Sequence, residues 1–496
     1  MAESDGTIRG DSRVLTFQDL ERAQDRPALV MDAIRRHCGS RAYRTARAAD
    51  EYDRQRNVTV RDYVQTIFDL TGSKLVDFTV SNSRIASNFF HRLNTQRCLY
   101  SLGQGVSFIG PGDGGEDATK ALLGPHFDRD LIDLAYRALI HGVGFGFWNL
   151  DRLHVFPLTE FVPFWDEREG ALRAGARFWR LDPSRPMQVV LYEEGGYTRF
   201  ESRQDGSDSP TERLVMVEDL RPYKERVQWT EAGGEEVVAG ENYSALPVVP
   251  MWGSRLHQST LVGMRAAIDS YDLIRSGFAN DLSDCAQIYW TISNAGGMTD
   301  ADLRRFMDRL RLMHVAVTDS DEGQAATPSV QEPPYSARKQ YLDDIRAQIY
   351  EDFGALDVHT VAAGATNDHI DAAYQPMDEE ASDFEQQVSE FVQQVLSLMG
   401  IDDRPAFHRS RISNQAEQVS MVVQEAQWLD QETILRKLPN IRPDEVPAIL
   451  DRLAEEEQDR MGVAQSIATG DFARQAGDGA GTEPPDGGEG DGGEAR

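Results

Sequence analysis

LVGMRAAIDSYDLIRSGFANDLSDCAQIYW, residues 261–290, and ARKQYLDDIRAQIYEDFGAL, residues 337–356, decide how this chain is read. In the first stretch Leu261, Met264, Ile268, Tyr271, Ile274, Phe278 and Leu282 recur every three or four residues, the period of one helical face. Its other positions are mostly polar: Arg265, Asp269, Asp272, Arg275, Asn280, Asp281 and Asp284. The second stretch repeats the pattern with Tyr341, Leu342, Ile345, Ile349, Phe353 and Leu356, and Gly354 is the expected stop. The segment between them cannot form a third long helix throughout. TISNAGG (291–297) reads as a strand end and turn, and TDADLRRFMDRLRLM (299–313) as a short helix opened by the N-cap Thr299. HVAVTDS (314–320) reads as a strand, and Gln324 to Pro334 breaks structure before the second helix.

Working outward, residues 1–55 are charged and Arg-rich, with a helical patch around Leu29 to Cys38, and read as a peripheral arm. From Val58 aromatic and apolar positions appear, followed by a predicted helix from Ser83 to Leu102 ending at Gly103 and a Gly-rich break. A helix over Arg129 to His141 leads into short strands: GVGFGFWNL, RLHVFPLTEFVPFWDE, RAGARFWRLD, MQVVLYEEGGYTRFESR, RLVMVEDL and ALPVVPMWG. Turn signals at Asp182-Pro183, Glu194-Gly195-Gly196 and Gln204-Asp205-Gly206 separate them, which predicts an α+β domain with an antiparallel meander. After Ile370, Met377 to Met399 reads as one long acidic helix with Phe384, Val388, Phe391, Val395 and Leu398 on one face, closed by Gly400. Further helices, punctuated by Pro439, Pro443 and Pro447, precede a tail of Gly, Asp, Glu and Pro whose composition predicts disorder.

With 496 residues, 40% of them apolar and 9% aromatic, the chain can bury several cores, and two to four domains are expected. No apolar run approaches the ~20 residues of a membrane helix, and the polar N-terminus lacks a signal-peptide core. Cys38, Cys98 and Cys285 are isolated, which favours a reduced, cytosolic assembly compartment over a disulfide framework. The 51 basic and 82 acidic residues give a net charge of −31, so tight passive DNA binding over most of the surface is disfavoured. An acidic wall can still suit a passage for a polyanion, because it repels phosphate instead of trapping it; simple solubility explains the acidity as well.

The glycines, histidines and carboxylates are the residues that could carry chemistry. Gly103-Gln104-Gly105 and the Gly142, Gly144, Gly146 series match neither dinucleotide nor P-loop spacing, and strand glycines more often mark bulges or close backbone approach. His314, His359 and His369 read as surface or loop residues, and no Cys/His spacing suits zinc. Asp269 with Asp272, and Asp281 with Asp284, are i,i+3 pairs that could hold Mg²⁺; the wet face of an amphipathic helix explains them better, since no fixed lysine or histidine stands by as acid or base. There is no recognisable nucleophile motif, no catalytic residue set and no expected cofactor or metal. Arg304, Arg305, Arg309 and Arg311, with Arg338 and Lys339, stand out against the acidic background. They either pair with Asp302, Asp308 and neighbouring carboxylates or dock a partner. Two helices around an insert, emptying into the small-residue loop VHTVAAGATNDH (358–369), suggest part of a conduit; Ala362, Ala363, Gly364 and Ala365 would yield to what passes.

SRIASNFFHRLNTQRCLYSLGQGVSF (83–108), the strand block containing RLHVFPLTEFVPFWDE, LPVVPMWG leading into the first helix, and the later AEQVSMVVQEAQWLDQETILRKLPNIRPDEVPAILDRLAEE (416–456) together resemble the portal proteins of long-tailed bacteriophages. SYDLIRSGFANDLSD combined with LDQETILRKLP carries most of the specificity, and the likeness runs from about Asp62 to Asp459. The resemblance implies an α+β portal fold with a strand-rich wing, a two-helix stem, a small α/β clip and a helical crown, assembling as a ring, usually a dodecamer, at one capsid vertex. It implies a wing (56–258), first stem helix (259–287), clip (288–337), second stem helix (338–356), tunnel loop (357–370), long wing helix (371–405) and crown (406–465); the N-terminal arm (1–55) and the disordered acidic tail (466–496) are departures whose roles it does not cover. The tunnel loop would present His359, Thr360, Ala363, Gly364, Thr366, Asn367 and His369 to DNA, and the stem Asp269, Asp272, Asp281, Asp284, Arg338 and Lys339. The clip arginines Arg304, Arg305, Arg309 and Arg311 would dock partners. Those partners would be further copies of the chain, double-stranded DNA in transit, the terminase large subunit, a head-tail adaptor, the major capsid protein and any scaffold protein, with no membrane. A metal-dependent DNA-processing enzyme using the stem aspartates, or a non-channel adaptor or scaffold, are the competing readings.

Overall fold

The computed structural model describes residues 14–64, 66–68, 74–76, 82–110, 116–204, 212–229, 235–284, 289–292, 299, 301, 326–329, 335–357, 367–410, 422–424, 426, 428–438, 446 and 449–454. The chain divides into two compact units, Met1–Thr360 with Ala373–Arg411, and Val361–Ala372 with Ile412–Arg496.

The first unit opens with helices α1 (Phe17–Arg22), α2 (Arg26–Gly39), α3 (Arg41–Asp53) and α4 (Val58–Arg61). Asp25 caps α2 by accepting from the Ala28 N–H (3.0 Å), and Ser40 caps α3 by accepting from the Tyr43 N–H (3.1 Å). A short hairpin, β1 (Thr66–Phe68) and β2 (Lys74–Val76), precedes α5 (Phe89–Leu102), β3 (Val106–Ile109), α6 (Glu116–Leu123) and α7 (Phe127–His141). Then come β4 (Val143–Asn149), β5 (Arg152–Pro157), β6 (Phe161–Trp165), β7 (Leu172–Trp179), β8 (Gln188–Glu193), β9 (Gly196–Gln204) and β10 (Glu212–Arg221). The hairpin β11 (Lys224–Trp229) and β12 (Glu235–Glu241) and strand β13 (Val248–Trp252) lead to α8 (Leu261–Asp284). Strands β14 (Tyr289–Ile292) and β15 (Ala326–Ser329) pair antiparallel ahead of α9 (Tyr335–Phe353), α10 (Asn367–Leu398) and β16 (Arg404–Phe407). In the second unit α11 (Gln431–Lys437) starts at Asp430, whose side chain accepts from the Thr433 N–H (3.2 Å).

The expected meander is present as the antiparallel sheet β10-β9-β8-β7-β6, in sequential order. A separate three-stranded sheet, β13-β4-β5, is antiparallel as well. The N-terminal helices are not a peripheral arm. Leu20, Val30 and Ile34 are buried against Phe164, Val189, Leu191 and Phe200 of the five-stranded sheet, forming one core. A second core joins α7 to β4, β5 and β13 and receives Phe384, Val388, Phe391 and Val395 from the predicted face of α10. A third gathers Tyr52, Phe89, Phe90 and Leu93 with Leu261, Met264 and Ile268 of α8 and Ile345, Ile349 and Phe353 of α9.

Two of the glycine readings meet their geometry here. A Cβ on Gly146 would lie 2.6 Å from Cζ of Phe391, so this strand glycine serves close packing of α10 on the sheet. Gly354 has φ +63°, the left-handed turn that ends α9 where the sequence predicts.

Several boundaries differ from expectation. Helix α5 begins at Phe89, not Ser83, because the N–H groups of Ser83, Ile85 and Ser87 are taken by side chains of α8 instead of by backbone carbonyls. Helix α10 begins at Asn367, ahead of the predicted start, with Pro376 inside it, so Asn367 and His369 lie on its first turn and not in a loop. Strand β15 lies within the segment 324–334 that reads as a break. His359, Thr360, Ala363, Gly364 and Thr366, the arginines Arg304, Arg305, Arg309 and Arg311, His314 and the acidic tail lie outside the described residues.

Candidate functional site

Helices α8 and α9 pack on one another and on α5 through the third core. Phe89 sits edge-on to Tyr271 (5.0 Å between ring centroids) and to Tyr350 (6.1 Å), so the start of α5 wedges against both helices. At the far end of the pair Arg338 forms an ion pair with Asp281, and its guanidinium lies 5.8 Å from the Phe278 ring. Phe278 in turn packs against Tyr335 (5.5 Å). Two residues predicted for one channel face are thus brought together as partners. Lys339 is exposed. The described side chains end before Asp284, the last residue of α8.

One stripe of the polar side of α8 is not the wet face that the amphipathic pattern suggests. Asp272 is fully buried, and Ser276 and Asn280 nearly so. These three accept hydrogen bonds from the backbone of residues 82–88, which run antiparallel to the helix. Ser83 N–H donates to Asn280 Oδ1 (2.7 Å), Ile85 N–H to Ser276 Oγ (3.0 Å) and Ser87 N–H to Asp272 Oδ1 (2.9 Å). Two residues of extended chain advance about 6.6 Å and four residues of helix about 6 Å, so acceptors at i, i+4 and i+8 meet every second N–H of the strap.

The Asn57 amide donates to the second Asp272 oxygen and to the Ser87 carbonyl (3.2 Å), which ties α4 to the same point. Burial raises the Asp272 pKa, the hydrogen bonds from Asn57 and Ser87 oppose that, and the neighbouring Asp269 adds to it; the net direction is upward. Asp269 accepts from the Tyr52 hydroxyl and from Thr59 Oγ1 (2.7 Å), and Arg265 Nε lies 3.5 Å away. The oxygens of both aspartates are therefore engaged by the protein's own donors. Among the described residues no group of three or more His, Cys, Asp or Glu could hold a metal ion.

This network also takes in Tyr52, Asn57, Thr59, Ser276 and Asn280, none of which the sequence marks as a site residue. Its signal was the four-residue spacing of Asp272, Ser276 and Asn280, which marks one helical stripe. The stripe's burial depends on a strap almost two hundred residues earlier in the chain.

The other end of α9 is held by cations. Arg97 is buried, donates to the Phe353 carbonyl, lies 4.0 Å from the Phe353 ring centroid and pairs with Glu380 (3.1 Å). Burial lowers its pKa against the pull of Glu380 and Asp383. Arg346 binds both Asp357 oxygens (2.9 and 2.8 Å), closing the turn after Gly354. Cations at a helix C-terminus also complement its dipole.

Residues 47–462 match the family model described as "Phage portal protein, SPP1 Gp6-like". The portal protein of Bacillus phage SPP1 is 23% identical over 401 residues, covering 73% of each chain. The portal protein of Clostridium phage phiCD119 is 25% identical over 215 residues, 41% of this chain; the match spans about half (48%) of that relative's length. A solved chain from a "neck of empty GTA particle computed with C6 symmetry" aligns over 72% of this chain and 91% of its own at 10% identity, with a TM-score of 0.41, too low to carry an argument. The fold is mixed α and β, and the chain belongs to the phage portal protein, SPP1 Gp6-like family.

No helix of the described residues is long and apolar enough to cross a membrane.

Proposed function

We propose that this protein assembles as a ring, a dodecamer in the resemblance, at one capsid vertex and forms the channel through which double-stranded DNA is packaged and ejected. The observation that carries this is the order α8, the β14/β15 pair, α9, residues 357–366 and α10, which supports the succession stem, clip, stem, tunnel loop and long wing helix in a chain of the portal family. The clip arginines Arg304, Arg305, Arg309 and Arg311 then serve docking of the terminase large subunit and later of a head-tail adaptor. The wing meets the major capsid protein and any scaffold. His359, Thr360, Ala363, Gly364 and Thr366 form the loop at the constriction, with Asn367 and His369 at the entry to α10.

In the stem, the channel-facing assignment is kept for Asp281, Arg338, Lys339 and Asp284. It is withdrawn for Asp269 and Asp272, which hold the strap and α4. The protein acts in the virion, and in the host cytoplasm during assembly, as a structural element without catalysis of its own. Class averages of the purified protein by negative-stain microscopy test the reading: a ring with a central hole is expected, and a monodisperse monomer under all assembly conditions overturns it. Incubation with Mg²⁺ or Mn²⁺ and plasmid tests the nuclease alternative, for which cleavage abolished by Asp281→Ala would be required.

A further inference from the structure

Beside the strap, a pocket of about 280 Å³ opens between α5, α8 and α9. Its walls include Ser87, Phe89 and Tyr271, and three arginines reach it from three different helices: Arg92, Arg275 and Arg346. Arg346 is held by Asp357, whereas Arg92 and Arg275 are exposed and make no ion pair with the described residues. In a chain of net charge −31, two unpaired guanidinium groups and a third beside them in one pocket form a local positive site. Guanidinium forks match planar carboxylates in geometry as well as charge.

Helix α9 supplies the complementary surface. Asp344 and Glu351 lie about 160° and about 140° round the helix from Arg346, so they project from its other side. Both are exposed and neither is paired with a described residue, and exposed Asp352 lies beside them. The cations on one side and the carboxylates on the other cannot meet within one copy. They can meet between identical copies set side by side, the arrangement of a head-to-tail, ring-closing interface.

We propose that Arg92 and Arg275, beside the Asp357-held Arg346, form a carboxylate pocket that receives Asp344 and Glu351 of the partner subunit, a second copy of this chain. The inference rests on the ring reading above and names the contact that closes it. Its role is partner selection and register in an assembly of strongly acidic copies, which otherwise repel one another.

The test compares four proteins by mass photometry at physiological salt, with circular dichroism to establish that each is folded: wild type, Arg92→Glu/Arg275→Glu, Asp344→Arg/Glu351→Arg, and the chain carrying all four changes. The concentration needed for assembly should rise at least about tenfold in each half-reversed variant and return toward wild type in the fourfold variant, because each reversed pair replaces attraction by repulsion at every interface. A wild type that never assembles overturns the ring reading itself. Rings from wild type and from the Arg92→Glu/Arg275→Glu variant alike overturn the pocket while leaving the ring intact. Loss of assembly only in the arginine variant, or no recovery in the fourfold one, overturns Asp344 and Glu351 as the occupants. Titration with inorganic phosphate and with a short DNA duplex covers the remaining occupants. Binding lost in the arginine variant with assembly unchanged would make this an anion or DNA site and overturn the proposal.

Discussion

Asp272 has both oxygens committed inside the protein, one to the Ser87 N–H and one to the Asn57 amide, so removing the carboxylate strands two buried donors. Asp272→Leu should destabilise the fold by about 2–4 kcal/mol, read as a lowered midpoint in urea with unchanged slope. A midpoint within error of wild type would mean the strap is not held there. Asp272 and Asp50 also respond to pH with opposite signs. Burial pushes Asp50 up, but the hydrogen bond and charge of His141 (2.9 Å), with Arg137 and Arg54, outweigh it and hold its pKa below the ordinary aspartate value. Between those two values the unfolded chain binds more protons than the folded one, so Asp50's contribution is full above about pH 4 and is lost as pH falls through the lowered value. For Asp272, whose pKa is raised, the folded state keeps the proton longer, and ionisation on raising the pH above the ordinary value works against stability. Asp50→Asn should therefore lower stability at neutral pH and flatten the acid limb of the stability profile, measured by denaturation from pH 3 to 7; an unchanged acid limb refutes the assignment.

At the scale of elements, the helices α8 and α9 were legible because apolar residues at helical spacing have few other uses, and Ile268, Ile345, Ile349 and Phe353 are in one core. The stop at Gly354 was legible too, since its φ of +63° suits glycine and few other residues. Gly354→Val places a branched side chain in that conformation, with its Cβ 2.7 Å from Glu380 Cγ, the partner of Arg97. A loss of about 2 kcal/mol, measured as a drop in Tm, is expected. Burial of the polar stripe on α8 was not legible. A helical polar stripe looks the same whether water or a strap covers it, and strap residues 82–88 carry no periodic signal of their own. The same ambiguity hid the apolar faces of α1 and α2, whose charged positions masked the residues that close the five-stranded sheet.

At the scale of the whole molecule, Ala363→Trp with Gly364→Trp should leave ring assembly intact and reduce packaged DNA, counted as filled heads; a normal yield of filled heads refutes the loop assignment. Reversal of Arg304, Arg305, Arg309 and Arg311 to glutamate should weaken motor or adaptor docking while the melting temperature stays within about 1 °C of wild type, because the docking reading makes them surface charges, which contribute little to folding. Unchanged adaptor binding and packaging would make them plain surface charge. What the sequence by itself determined is the family, through the likeness of its segments to portal proteins, and the antiparallel meander and the two apolar helices, because local periodicity and turn chemistry record which face of an element must leave water. Only the tertiary structure decided which polar residues are interior. Asp272, Ser276 and Asn280 are buried because a distant strap supplies N–H donors at matching spacing, and such pairing between segments far apart in the chain leaves no pattern in either one.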